Sequence, residues 1–213
     1  VARGVNRHKL FESGFEKRRY LERFARIAEA EGVLVHGYCI MDNHVHWLLT
    51  PQRANSLARL FQRLHSWWAM EYNRKHGRAG HLFQNRYHST PIEKGDYYWT
   101  ALRYIELNPK RANLCSDLQA WEYSSARAHL SGKQDPIVKL IDNEWRRRFS
   151  RTQWRDFLNV AAPQHLQQEA QLRRSLSGNR PCGGARWIRN LEKKQGARFA
   201  FKRAPTQTAA FVA

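Results

Sequence analysis

The chain has 213 residues, with 37 Lys+Arg against 18 Asp+Glu and a formal charge of +19. A positive excess this large repels itself in a compact state, so composition points to a polyanionic partner, nucleic acid before an anionic membrane surface. Hydrophobic residues, at 42%, suffice for a core, and no run approaches the length of a membrane span. The cysteines, Cys39, Cys115 and Cys182, are scattered and odd in number. They fit neither a disulfide framework nor a zinc knuckle, and a reducing cytoplasm is expected.

In chain order, Val1 to Val5 reads as the end of a strand. "EKRRYLERFARIAEAEG" places Tyr20, Leu21, Phe24, Ile27 and Ala28 at helical spacing, with Gly32 as the stop. "VLVHGYCIM" reads as a strand, Asp42-Asn43 as a turn, and "HVHWLLT" as the returning strand of a hairpin. A second helix follows, capped by Asn55 or Ser56. Its stripe runs through Leu57, Leu60, Phe61, Leu64, Trp68 and Tyr72, and Gly77 ends it. "HLFQNRYHSTPIEK" reads as a further strand region. "GDYYWTALRYIELNP" reads as a third helix, opened by Asp96 and interrupted by Pro109.

This order predicts an α+β class: a ferredoxin-like antiparallel sheet with helices on one face. A basic helical C-terminal extension follows. Residues 1–144 hold 22 basic and 15 acidic side chains, whereas 145–213 hold 15 and 3. "EWRRRFSRTQWRDFL" and "GGARWIRNLEKKQGARFAFKRAP" read as basic helical elements, and the Gly/Pro/Ser cluster "SLSGNRPCGGARW" as a linker or turn.

"HVH" sets His44 and His46 two apart, so on a strand they share one face. Imidazole suits borderline divalent metals. Ten histidines in 213 positions give about half an HxH by chance. Two readings therefore stand: polar positions on a half-buried strand, or two ligands of one ion. In "RYIELNP", Tyr104 and Asn108 lie i, i+4, on one helix face. Tyr104 is either an amphipathic residue at the edge of the core or a hydroxyl aimed into a cleft. Arg3, Arg7, Arg86 and Lys94 flank the predicted sheet, and Tyr87, Trp67 and Trp68 offer flat rings. Single-stranded nucleic acid uses both cations and rings, although Trp68 reads better as core.

Four blocks, "VARGVNR", "GYCIMDNHVHWLL", "NRKHGRAGHLFQNRYHSTPIEK" and "RYIELNPKRANL", in this order, resemble the REP-associated tyrosine transposases. These are single-tyrosine HUH transposases of the insertion-sequence type. The resemblance implies a catalytic domain over 1–130, followed by a helical extension over 131–178 and a basic DNA-binding tail over 179–213. It implies that His44 and His46 bind a divalent cation, Mg²⁺ or Mn²⁺, that Asn108 supplies a third ligand, and that Tyr104 is the nucleophile. The implied activity is nicking and rejoining of single-stranded DNA at REP-type hairpins through a 5′-phosphotyrosine link, by a cytoplasmic monomer or homodimer. A non-catalytic DNA- or RNA-binding regulator of the same fold is the alternative.

Overall fold

The computed structural model describes residues 1–141, 143–160, 162–195 and 210–212. The elements are β1 (Ala2–Arg3), α1 (Gly14–Glu31), β2 (Val33–Ile40), β3 (His44–Pro51), α2 (Ser56–His76), β4 (Thr90–Ile92), α3 (Asp96–Glu106) and α4 (Asn108–Arg111). They continue as α5 (Ala126–Ser131), α6 (Asn143–Arg148), α7 (Arg151–Asn159), α8 (Pro163–Gly178), α9 (Ala185–Gln195) and β5 (Ala210–Val212).

Alternation along β3 decides the architecture. Val45, Trp47 and Leu49 project to one face of the sheet, where they meet Tyr20, Leu21 and Phe24 of α1 and Leu60, Phe61 and Leu64 of α2. The Trp47 indole is fully buried and stacks on Phe24 with ring centroids 3.6 Å apart. Trp47→Ala should therefore cost about 3 to 5 kcal/mol of stability, checked by denaturant melts. Both helices end at the glycines expected to stop them, and α1 begins at Gly14, two residues before the segment read as helical. The Ser13 side chain accepts from the Glu16 amide at the head of α1, and Gly32 closes its end at φ 64.

His44, His46 and Leu48 project to the opposite face. Leu48 packs there with Cys39 and with Tyr98, Leu102 and Ile105 of α3. α3 lies so close to β2 that a Cβ at Gly37 would come within 2.2 Å of a Leu102 methyl. The α+β class and the antiparallel sheet are as expected, but the helices are not confined to one face. α1 and α2 cover one side and α3 the other, because α3 carries its own apolar stripe and β3 is apolar on both faces.

β3 pairs antiparallel with β2 along its whole length, from Val33 opposite Pro51 to Ile40 opposite Val45, with a bulge between Val35 and Gly37. Its other edge is shared end to end. β1 pairs with His44 and Val45, and β5 pairs with Leu48 and Leu49. β4 lies outside β5, with Thr90 opposite Val212. Two expectations change here. The strand region of 81–94 shrinks to Thr90–Ile92, and the residues before it form a loop that bonds to the first residues of the chain, the Leu82 carbonyl accepting from Val5 and the Gln84 and His88 amides donating to Arg3 and Val1, with an isolated bridge between Phe83 and Gly4. The predicted basic tail supplies a sheet strand, in which Val212 is fully buried. Residues 196–209 of that tail lie outside the described residues.

Behind α3, the segment after residue 131 contributes Trp145, Trp154, Leu158 and Leu172 to the core that holds Tyr98 and Leu102. Its polar centre is Glu106, fully buried. Glu106 accepts from Ser125 Oγ at 2.6 Å and Trp154 Nε1 at 2.9 Å, and lies 2.6 Å from His129 Nδ1.

Buried histidines link stability to pH. Burial pulls His36 down to about 4 and His65 to about 3, so both stay neutral in the fold. Unfolded imidazoles protonate near 6.5. Below that value the unfolded chain binds more protons, so stability should fall as pH drops from about 6.5 to about 4. The slope is about 1.4 kcal/mol per pH unit for each such histidine. Denaturant melts across this window check it; a flat profile would contradict it.

Candidate active site

The histidine strand and α3 are brought together by the packing just described. The His44 and His46 rings lie 4.8 Å apart, nearly perpendicular, and the Tyr104 ring lies 5.6 Å from His46. These two imidazoles and the phenol form one group. Among the described contacts, none joins Asn108 to either imidazole. Its Nδ2 donates back to the carbonyls of Tyr104, at 2.8 Å, and Ile105, at 3.2 Å, which leaves its oxygen unengaged among the described residues. α4 begins at Asn108 with Pro109 in its first turn, so Asn108 sits at the break after α3, as Pro109 predicted.

Both imidazoles are neutral. Burial pulls His44 down to about 4, with the Arg3 charge adding to the effect. Burial also pulls His46 well below its usual value, helped by His44 and by cations including Arg3 and Arg173. Neutral imidazole is the form that ligates a metal. A short relay also sets the His44 tautomer. Asn43 Nδ2 donates to the Arg7 carbonyl at 3.3 Å, which orients the amide. Asn43 Oδ1 then lies 2.7 Å from His44 Nδ1 and accepts its proton, leaving the lone pair on Nε2. His46 Nδ1 is buried with no hydrogen-bond partner among the described residues, a situation that costs about 1 to 3 kcal/mol unless something engages it. These features fit a bound cation. Among the described residues no cluster of three His, Cys, Asp or Glu is present, so a third protein donor would be an amide or a hydroxyl.

Burial pushes the Tyr104 phenol above its usual range, and the Arg173 and Arg111 guanidiniums oppose that rise. Their guanidinium carbons lie 5.2 and 5.6 Å from the centre of the Tyr104 ring. Neither arginine was singled out in the sequence. Arg111 lies one turn beyond Asn108, within a quoted block, but Arg173 comes from α8, far along the chain.

The residues expected to hold nucleic acid separate in space. Arg3 is exposed and sits opposite His44 in the β1–β3 ladder, at the edge of the site. Arg7 is exposed on the turn after β1 and reaches the site through its carbonyl on Asn43. Arg86 is exposed in the loop before β4. Lys94 lies away from the histidine pair, 3.4 Å from Glu144. Both charges are felt by His36, which is 2.9 Å from Thr50 near the other end of β3. Trp68 is core, with its Nε1 donating to the Leu10 carbonyl at 2.9 Å. Tyr87 packs on Phe61, and Trp67 is half-buried beneath Arg19 and Arg23.

The family model described as "Transposase IS200 like" matches residues 1–108, from β1 to Asn108. The chain belongs to the IS200-like transposase family. The match takes in the hairpin with His44 and His46 and the helix with Tyr104. No curated protein and no solved structure matches the chain. Membership in this transposase family carries DNA as the partner and DNA processing as the general activity. Among the described residues, no helix is long and apolar enough to cross a membrane.

Proposed function

We propose that this transposase is a metal-dependent single-strand endonuclease and strand transferase that cuts REP-type hairpin DNA by attack of Tyr104. The observation that carries the reading is the convergence of two neutral imidazoles and one phenol, from β3 and α3, on one half-buried spot.

A phosphodiester is an anion and a poor electrophile. A divalent ion held by His44 and His46, with Asn108 as a third ligand, would polarise a non-bridging oxygen of the scissile phosphate. Tyr104 forms its Oη–P bond as the bond from phosphorus to the 3′-oxygen breaks. The phenol proton is lost, and the departing 3′-oxygen gains one. The products are a 5′-phosphotyrosine and a free 3′-hydroxyl. One phosphoester bond replaces another, so a second strand end can reverse the exchange without ATP. Arg3 and Arg7, beside the pair, would hold flanking phosphates.

The test is incubation of the full chain with a labelled single-stranded hairpin oligonucleotide and Mn²⁺, read on a denaturing gel. A protein-linked band supports the enzyme. Tight binding with no linked band, in Mg²⁺ or Mn²⁺, would instead indicate a non-catalytic binding protein of this fold.

A further inference from the structure

Three guanidiniums converge on one carboxylate beside the site. Glu169 on α8 is buried, and its Oε2 accepts from Arg111 Nη2 at 2.6 Å and from Arg103 Nη1 at 3.2 Å. Its Oε1 accepts from Arg173 Nη2 at 3.1 Å. One negative charge thus faces three positive ones. Nothing in the mechanism above uses this excess.

The three arginines are not equivalent. Arg103 is buried and also donates to the carbonyls of Phe157, at 2.7 Å, and Leu158, at 3.1 Å. It is spent on holding α3 to α7 and α8. Arg111 and Arg173 are partly exposed and, among the described residues, each donates only to Glu169. A guanidinium carries five N–H donors in a planar fork, so both retain most of their capacity. They come from different helices, α4 and α8, and meet at the Glu169 carboxylate and beside the Tyr104 ring. A planar cationic fork with unused donors matches the oxygens of a phosphate.

We propose that Arg111 and Arg173, fixed beside the Tyr104 ring by Glu169, form a two-arginine clamp for the phosphodiester that Tyr104 attacks. The clamp rests on the reading of Tyr104 as nucleophile, and it adds a catalytic contribution from α8, outside the family match. Charge on the non-bridging oxygens persists from the scissile phosphodiester to the phosphotyrosine, and builds at the crowded phosphorus between them. Two guanidiniums anchored in advance would stabilise that charge with little reorganisation. Solvated surface arginines would instead give only diffuse, salt-sensitive affinity.

The test has two arms, both on the full chain. In the first, inorganic phosphate is titrated into metal-free protein and the arginine Nε–H signals are followed by NMR. Arg111→Gln and Arg173→Gln identify the signals of the two arginines. Phosphate should shift both signals, and each substitution should weaken phosphate binding at least about fivefold. In the second, adduct formation is timed with saturating hairpin DNA and Mn²⁺. Each Gln variant should be slowed about 100-fold or more, by analogy with loss of one preorganised donor. DNA affinity and melting temperature should change little, and Arg173→Lys should recover part of the rate. Phosphate that shifts neither signal overturns the clamp. So does a wild-type chain that forms the adduct, but no faster than the two Gln variants. If phosphate binds both arginines but the wild-type chain forms no adduct, the clamp stands as an anion site and the Tyr104 reading fails.

Discussion

Tyr104→Phe should abolish the covalent protein–DNA adduct and leave the fold nearly unchanged. The substitution keeps the ring, and with it the packing against His46 and the two arginines. It removes only a hydroxyl that makes no hydrogen bond among the described residues. Stability should therefore move by no more than about 0.5 kcal/mol. Adduct and nicked product should fall below detection, because among the described residues no other tyrosine ring lies against the histidine pair. The neighbouring tyrosines are otherwise engaged. Tyr98 is buried in the core, and Tyr97 donates to Gln171 at 3.3 Å. Tyr87 packs on Phe61 at 4.3 Å. Melting curves and denaturing gels on the same preparation check both halves. Persistent adduct in Tyr104→Phe would move the chemistry elsewhere.

His46→Ala and His44→Ala should each reduce cutting at least about 1,000-fold, the scale of the several kcal/mol that a bound ion supplies at a reacting phosphate. Hairpin affinity should stay within a few-fold, since the imidazoles are uncharged and the proposed phosphate contacts, Arg3 and Arg7, are kept. Mn²⁺ binding, measured by calorimetry or by paramagnetic broadening of the remaining imidazole signal, should be lost in parallel. This second readout does not depend on catalysis. A variant that cuts normally, or binds Mn²⁺ as tightly as the wild type, would refute the histidine pair as the cation site.

The centre of this fold was readable because short-period patterns write it. The stripes of α1 and α2 repeat every three or four residues, and His44, His46 and Leu48 alternate with Val45, Trp47 and Leu49. Which face α3 would cover was not readable, since β3 is apolar on both sides and alternation does not say what packs where. β5 is three residues long and pairs with a strand about 160 residues earlier, so no local pattern marks it. Residues 81–89 carry strand-like composition but, among the described residues, meet only scattered bonds from residues 1–5 rather than a continuous strand partner.

The site divides in the same way. His44, His46 and Tyr104 fall inside local motifs, and the structure brings them together. Asn108 is adjacent in sequence, yet its amide nitrogen is turned back onto α3. Lys94 looked like a phosphate contact from its place beside a strand, but charge near a sheet does not fix which end it occupies, and it lies beside Glu144. Arg173 was invisible for the opposite reason. Nothing near it in sequence signals chemistry, and only the packing of α8 on α3 brings it to Tyr104.

The central claim is that one phenol, Tyr104, takes the DNA strand. The most direct measurement is peptide mapping by mass spectrometry of the adduct trapped with a single-stranded hairpin and Mn²⁺. The account predicts a 5′-phosphonucleotide on the peptide carrying Tyr104 and on no other tyrosine. The same modification on Tyr97, Tyr98, Tyr87 or any other residue would contradict it.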